Sequence, residues 1–128
     1  MRYLKKYNEN NYLSENGKKF ICFDQNLTEL PYIPDTVEYL YCDDNNLNEL
    51  PELPKGLKIL YCWNNELEEL PELPKELKEL HCYYNYLNKL PRLPKGLKYL
   101  YCDFNNLPYK NLNGYWEWFY KENPDLGE

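Results

Sequence analysis

The sequence contains no alanine, two arginines, one methionine and one histidine. Alanine codons require G and C, whereas the codons of the abundant Asn, Lys and Tyr residues are rich in A and T, so the composition indicates an AT-rich genome. Aromatic residues make up 17% of the chain. In an AT-rich genome, some of its tyrosines can therefore reflect codon bias rather than ligand binding.

The sequence also lacks any hydrophobic run that approaches the roughly 18 residues of a membrane span. Its first residues, MRYLKKYNENNYLSENG, are too polar for a signal peptide. The net charge is −6, with both signs interleaved and no basic patch that could follow a phosphate backbone. We therefore expect a cytoplasmic protein that binds neither a membrane nor nucleic acid.

Five cysteines recur at a spacing of twenty residues: Cys22, Cys42, Cys62, Cys82 and Cys102. The surrounding residues keep the same register, and the unit reads L-x-x-L-x-C-x-x-N-x-L-x-x-L-P-x-L-P-x-x. A fixed period of this length is typical of a solenoid, in which each coil buries its apolar residues against its neighbours. Stacking requires the same small buried group and the same turn in every coil, which explains why cysteine and asparagine recur.

The unit resembles the leucine-rich repeat, whose consensus L-x-x-L-x-L-x-x-N/C-x-L it matches in four consecutive copies after a degenerate copy that starts at Gly17. Its short length and its LPxLP segment are similar to the repeats of bacterial effectors of Yersinia and Shigella and of giant DNA viruses of amoebae. The resemblance implies an α/β solenoid, mainly β, with one parallel sheet and an extended convex side. It divides the chain into an N-terminal cap (1–16), five twenty-residue repeats (17–107) and a C-terminal cap with a short helix (108–128).

The residues of one unit lead to the same architecture on physical grounds. The segment LKILYC alternates with period two, so that Leu60 and Cys62 face inward while Tyr61 faces outward. The amide of Asn65 can then bond backbone groups that the following turn leaves unpaired, and leucines of the next segment fill the interior. Proline cannot donate to a central ladder, so the LPELP segment (70–74) is predicted to return outside the sheet as extended chain.

Both ends of a solenoid need a cap, and the sequence offers aromatic residues at each end. At the C-terminal end, Asn113 is predicted to cap a short helix that Pro124 stops. The residues predicted to cover the last coil are Leu112, Tyr115, Trp116 and Phe119. The residues predicted to cap the first coil are Tyr3, Leu4, Tyr7, Tyr12 and Leu13.

The cysteines are predicted to be small core residues, because they occupy inward strand positions. Their odd number and their regular spacing argue against a disulfide framework. No CxxC pair or histidine cluster accompanies them, as a metal site would require. We therefore predict no disulfide, no metal and no cofactor.

Two segments match in letters the Cys-x-Asp motif of the ubiquitin ligases that carry similar repeats, namely Cys22 to Asp24 and Cys42 to Asp44. A nucleophilic cysteine needs exposure and a base, whereas both cysteines occupy the buried position of the repeat. The ligases also carry a separate helical catalytic domain, for which this chain leaves no room. His81 has no partner for a triad or a metal site and is predicted to face solvent on the sheet. We therefore predict that the chain is not an enzyme.

The outward positions of the strands are rich in aromatic residues. The resemblance implies that they form the concave surface, and exposed aromatic patches often mark interaction sites. The alternative is that the rings stack on one another across the strands, with codon bias adding to their number. The predicted partner-binding residues are Tyr39, Tyr41, Asp43, Ile59, Tyr61, Trp63, Glu79, His81, Tyr83, Tyr99, Tyr101 and Asp103.

The sequence therefore predicts a monomeric or weakly self-associating module that binds a partner protein on its concave aromatic face. In a virus or pathogen the partner would be a host protein, in the host cytoplasm. A second hypothesis is the substrate-recognition part of a ubiquitin ligase system whose catalysis lies in another chain. A third is a structural protein that associates with its own copies.

Overall fold

A computed structural model describes residues 11–126 of the chain. Within this range it contains five short strands, one α-helix and a final turn of 3₁₀-helix. The strands are β1 (Lys19–Ile21), β2 (Tyr39–Tyr41), β3 (Ile59–Tyr61), β4 (Glu79–His81) and β5 (Tyr99–Tyr101). They form one parallel sheet in the order β1-β2-β3-β4-β5, followed by α1 (Leu112–Glu122) and the 3₁₀ turn (Pro124–Leu126). The predicted fold, a mainly β solenoid with a C-terminal helix, is confirmed.

The strands pair in register with the sequence period. Tyr41 lies opposite Tyr61, which in turn lies opposite His81, so partners are twenty residues apart throughout. The backbone ladder continues past the ends of the strands, since the N–H of Cys62 donates to the carbonyl of His81 at 2.9 Å. The same repeat position therefore falls at the same place in every coil.

The interior of the solenoid holds the residues that the repeat predicts. Leu60, Cys62 and Leu67 are fully buried, and Leu70 and Leu73 are each 7% exposed. All five cysteines are free and buried, which confirms their predicted role as core residues. Each coil contributes one layer of leucines, which the neighbouring coils cover, so burial of apolar area holds the stack together.

The proline segments lie outside the sheet, in neither a helix nor a strand. At the end of each segment the carbonyl of the second proline accepts a hydrogen bond from the N–H three residues later. Pro54 accepts from Leu57 at 3.1 Å, and Pro74 accepts from Leu77 at 3.2 Å. This turn leads the chain back towards the next strand.

The repeated asparagine bonds two coils together. The Asn65 Nδ2 donates to the carbonyls of Cys42 and Cys62 at 3.2 and 3.1 Å, while its Oδ1 accepts the N–H of Leu47 at 2.9 Å. Each asparagine therefore closes the turn of the coil before its own, and the predicted role of Asn65 is confirmed. The equivalent residues with the same pattern are Asn45, Asn85 and Asn105.

The helix α1 begins two residues earlier than the sequence suggests. Its N-cap is Asn111, whose backbone is extended and whose Oδ1 accepts the N–H of Gly114 at 2.8 Å. The prediction of Asn113 as N-cap is wrong, because the earlier start brings Leu112 onto the same helix face as Tyr115. The helix ends at Glu122, and the 3₁₀ turn follows.

The helix covers the last coils with apolar side chains and also satisfies their backbone. Tyr115 and Phe119 are 1% and 7% exposed, with Leu112 and Trp116 packed beside the core. The Tyr115 hydroxyl accepts the N–H of Leu93 at 3.2 Å. These residues therefore cover the coil as predicted, while the boundary of the C-terminal cap at residue 108 stays a prediction.

At the other end, Leu13 forms an antiparallel bridge with Phe20. The Tyr12 ring lies 5.8 Å from the Phe20 ring, and both Tyr12 and Leu13 pack against the core. The other residues predicted for this cap lie outside the described residues, namely Tyr3, Leu4 and Tyr7.

Candidate functional site

The outward strand positions form three rows that cross the sheet, which together we call the sheet face. The first row is Lys19, Tyr39, Ile59, Glu79 and Tyr99; the second is Ile21, Tyr41, Tyr61, His81 and Tyr101; the third is Phe23, Asp43, Trp63, Tyr83 and Asp103. Successive strand residues point to opposite sides, so these rows alternate with buried leucine and cysteine. The sequence-predicted residues therefore share one surface.

The second row is a continuous ladder of ring contacts. The centroids of Tyr41 and Tyr61 are 4.8 Å apart in an edge-on arrangement. His81 lies 4.2 Å from Tyr61 and 4.6 Å from Tyr101. Mutual stacking of the cross-strand rings, which the sequence left open, is thus present. It holds each ring in a fixed orientation, with Tyr101 still 49% exposed.

His81 also has a partner on its own strand. Its Nε2 lies 3.2 Å from the Glu79 Oε1, because residues two apart on a strand share a face. With rings on both sides, its side chain is only 17% exposed. The structure thus corrects the expectation of a solvent-facing histidine. Among residues 11–126, no group of three or more His, Cys, Asp or Glu side chains is placed to hold a metal ion.

The first row contains charged side chains as well as a ring contact. The Lys19 ammonium lies 6.0 Å from the centroid of the Tyr39 ring, which is within the range of a cation–π contact. Ile59 is partly buried, while Tyr99 is 51% exposed. The row is thus partly buried on the three middle strands and exposed at both ends, at Lys19 and Tyr99.

The third row combines an aromatic stack with an unusual aspartate. The Trp63 and Tyr83 rings are parallel within 5° at 5.1 Å. Asp43 is 5% exposed, whereas Asp103 at the same repeat position is exposed. Burial raises the pKa of Asp43 to about 6; its own backbone N–H opposes this, and the charges of Asp44 and Asp24 add to it.

Two exposed aromatic residues beside the third row were missed by the sequence interpretation. Tyr84 and Phe104 follow the third row directly, and their rings stack at 4.4 Å within 5°. Their φ angles are 56° and 61°, in the left-handed region. The equivalent residues of the other coils are Asp24, Asp44 and Asn64. The change from Asp and Asn to aromatic at this repeat position is the signal that could have identified them.

Charge is distributed unevenly between the two sides of the sheet face. Just before the strands, the Glu38 carboxylate lies 3.8 Å from the Lys18 ammonium and 3.4 Å from that of Lys58. Lys78 and Lys98 occupy the same repeat position in later coils and are exposed. Just after the strands the charges are acidic, so the sheet face is basic at the strand starts and acidic at the strand ends.

The buried cysteines are unsuited to nucleophilic chemistry. Burial raises the pKa of Cys22 to about 12. Burial also raises the pKa of Cys42 well above its ordinary value, and the neighbouring Cys22 thiol and the Asp43 charge add to this effect. A reactive cysteine requires a lowered pKa and access to substrate. The Cys-x-Asp segments that begin at Cys22 and Cys42 therefore match the ligase motif in letters alone.

A parallel sheet with a twenty-residue period, asparagines that bond successive coils and proline segments outside the sheet define a leucine-rich repeat fold of the short-repeat class. Solved structures agree. YopM from Yersinia enterocolitica WA-314 is similar at a TM-score of 0.69 and 30% identity, over 83% of this chain and 29% of YopM. YopM from Yersinia pestis, described as a leucine-rich effector protein, gives a TM-score of 0.62 and 37% identity, over 65% of this chain and 25% of that one.

A leucine-rich repeat domain of a Shigella effector is similar at a TM-score of 0.56 and 26% identity, over 81% of this chain and 65% of that domain. The chain thus spans less than two thirds of the length of each of these three structures. No protein-family model and no curated protein matches the sequence. Within the described range, no helix is long and apolar enough to cross a membrane.

Proposed function

We propose that this chain is a protein-binding module that recognises a partner protein through the sheet face and has no chemistry of its own. The observation that carries the proposal is the second-row ladder, which runs from Tyr41 through Tyr61 and His81 to Tyr101. Tyr99 and Tyr101 remain about half exposed at its end. Aromatic residues are enriched among the side chains that dominate binding energy.

The ring contacts within the ladder support binding rather than compete with it. A tyrosine that already touches its neighbours loses little rotational freedom when a partner covers it, so the entropic cost of binding is low. The edge contact of Tyr41 with Tyr61 and the bond from His81 to Glu79 both restrict side chains in this way. The sheet face is thus a rigid surface before any partner arrives.

The similar structures favour a partner from a host cell. The Yersinia pestis protein and the Shigella protein are effectors, and both are leucine-rich repeat proteins. We extend this to the present chain as part of the proposal: in a virus or pathogen, the module would act in the host cytoplasm on a host protein.

The test compares two double variants, one on the sheet face and one on the opposite surface. Tyr61→Ser with Trp63→Ser removes two central rings of the sheet face. Glu72→Lys with Lys75→Glu exchanges exposed charges on the surface formed by the proline segments, which we call the proline side. Partner capture from host lysate is quantified for both, and circular dichroism checks the fold. We expect the first variant to lose its partner and the second to keep it. The reverse result would place the site on the proline side.

Two further outcomes would assign the chain to the other hypotheses. Capture of ubiquitin-ligase components would favour the substrate-recognition role. Light scattering over a concentration series reports self-association; a mass that grows with concentration and returns to the monomer in the Tyr61→Ser, Trp63→Ser variant would identify a second copy as the partner.

A further inference from the structure

The third row and the residues that follow it form a second, narrower surface at the strand ends, which we call the strand-end strip. Its acidic half consists of Asp24, Asp43 and Asp44 in the first two coils, beside the exposed Phe23. Its aromatic half consists of Tyr83, Tyr84 and Phe104 in the last two coils, beside the exposed Asp103, and Trp63 lies between the halves.

The acidic half carries charge that no ion pair among the described residues neutralises. Asp43 is only 5% exposed. Its carboxylate makes no hydrogen bond or ion pair with another residue of the described range. From the residues that the structure describes, the Asp44 carboxylate accepts a single hydrogen bond, from the side-chain amide of Asn64. The lysine–glutamate pairs of the described range lie on the opposite side of the sheet face, at Glu38. A buried carboxylate without a cation is costly unless a ligand supplies one.

The aromatic half combines exposed rings with an unfavourable backbone conformation. Tyr84 and Phe104 are 51% and 65% exposed, and both have a positive φ, which bulky residues rarely adopt. The first three coils place Asp or Asn at this position, residues that adopt it with little strain. The last two coils thus keep exposed rings in a strained backbone, a combination that is concentrated at ligand-binding positions.

Contacts join the two halves into one surface. Trp63 stacks on Tyr83, and Tyr83 contacts Tyr84 at 5.8 Å between centroids. On the acidic side, the backbone N–H of Asp44 donates to the carbonyl of Trp63 at 3.1 Å, so the two sit on neighbouring coils. The negative charges of Asp43 and Asp44 also act on the Tyr83 hydroxyl, whose pKa is raised mainly by burial and further by these charges.

We propose that the strand-end strip binds an extended segment of the partner protein that carries an arginine or lysine on the acidic half and an apolar or aromatic residue on the aromatic half. The proposal rests on the proposed function and specifies the partner's chemistry. Arginine suits the junction best, because its planar guanidinium can pair with the Asp43 carboxylate while it stacks on the Trp63 ring. The acidic half excludes a nucleic-acid occupant.

The geometry of the sheet also sets the spacing within that segment. Asp44 and Phe104 are separated by three coil spacings, or ~14 Å at ~4.8 Å each. An extended chain rises ~3.3 Å per residue, so ~4 residues span this distance. The basic residue and the apolar residue are therefore expected about four positions apart.

A displayed library of random linear peptides, selected on the full chain, tests the proposal without knowledge of the natural partner. We expect enriched peptides to carry Arg or Lys about four positions from an apolar residue. Synthetic copies of these peptides should bind the Asp43→Asn variant at least about tenfold more weakly than the parent protein. The same loss is expected for the Tyr84→Asn, Phe104→Asn variant. The matched controls are Asp35→Asn and Tyr32→Asn, which make the same chemical changes at exposed positions on the proline side.

The substitutions Tyr84→Asn and Phe104→Asn are compatible with the fold, since Asn64 already occupies the equivalent position with a φ of 56°. Enriched peptides without a basic residue, peptides that bind all strip variants equally, or no enrichment at all would overturn the proposal. If peptides lose binding only to Tyr61→Ser with Tyr101→Ser, the second row of the sheet face binds and the strip does not. Peptides that bind every variant normally would overturn the strip and the proposed function together.

Discussion

The phenyl ring of Phe104 stacks on the ring of Tyr84 at 4.4 Å, although the backbones of both residues lie in the left-handed region. For an L-residue with a bulky side chain this conformation costs about 1–2 kcal/mol. A stacked aromatic pair contributes about 0.5–1.5 kcal/mol beyond its burial. Two strained residues therefore cost more than their one shared contact supplies, and the pair is a local weakness of the fold.

Relief of that strain should stabilise the protein. We expect Tyr84→Asn with Phe104→Asn to raise the free energy of unfolding by about 1–2 kcal/mol, because asparagine tolerates a positive φ. Urea denaturation at fixed pH measures it. Tyr86→Asn is the control, since Tyr86 is exposed but has no positive φ, and its change should stay within about 0.5 kcal/mol. A less stable double variant would contradict the strain argument.

The buried Asp43 should make stability depend on pH. Its folded-state pKa is raised from 3.8 to about 6, so the folded protein binds the proton more tightly than the unfolded chain does. The contribution of Asp43 to stability therefore increases as the pH falls from about 7 to about 4, by about 1–2 kcal/mol.

Comparison with Asp43→Asn isolates this contribution from those of other carboxylates. The variant should be more stable than the parent near neutral pH, and the difference should vanish as the parent becomes protonated. Asp103→Asn, the same change at the same repeat position but on an exposed residue, is the control. Thermal unfolding over a pH series gives the result, and a parent that gains over Asp43→Asn as the pH rises would refute the assignment.

The five cysteines should resist thiol reagents in the native protein and react once it is unfolded. Burial raises the pKa of Cys22 to about 12 and that of Cys102 to about 11, so neither thiolate is populated at neutral pH. Kinetics of labelling with and without denaturant measure this. As a companion test, Cys62→Ala should cost less than Leu60→Ala, for which about 2–5 kcal/mol is typical. Rapid labelling of several native thiols would show that the interior is open.

The C-terminal helix should contribute through specific hydroxyls as well as through apolar cover. Tyr115 is 1% exposed, and its hydroxyl accepts the N–H of Leu93. Tyr115→Phe removes that acceptor and leaves a buried donor unpaired, at a cost of about 1–3 kcal/mol. Tyr120→Phe, at a partly buried helix position, serves as control in equilibrium denaturation. Equal effects of the two changes would mean that the hydroxyl of Tyr115 has no special role.

The parts of the fold that the sequence predicts are those that every coil repeats. Leu60, Cys62 and Asn65 each meet the same constraint in every unit, so the inward set, the register and the asparagine bonds follow from the period alone. The start of α1 does not, because Asn111 and Asn113 have the same intrinsic preference for an N-cap. Packing of Leu112 against the core decides between them, and that packing is a tertiary effect.

For a similar reason, the sequence predicted the strand residues of the candidate site but not the residues that follow the strands. Strand alternation places Tyr61, Trp63 and His81 on one face, and the structure has them there. Alternation says nothing about the residue after the third row, where the backbone turns to a positive φ. A period-two argument therefore does not find Tyr84; comparison of the same repeat position across coils, where Asp and Asn give way to an aromatic residue, would have found it.

The asparagine bonds of the solenoid point in one direction along the chain. The N–H of Leu47 donates to the Oδ1 of Asn65, and that of Leu87 donates to the Oδ1 of Asn105, so each of the first four turns depends on a side chain that the ribosome adds eighteen residues later. Each of these four coils therefore lacks its closing hydrogen bond until the next coil has been made. Synthesis thus proceeds with a single unfinished turn at the growing end. A chain that is shortened at its C-terminus by one coil permanently lacks the asparagine that closes the preceding turn. A coil duplicated in the middle would bring its own asparagine and leave no additional turn unclosed.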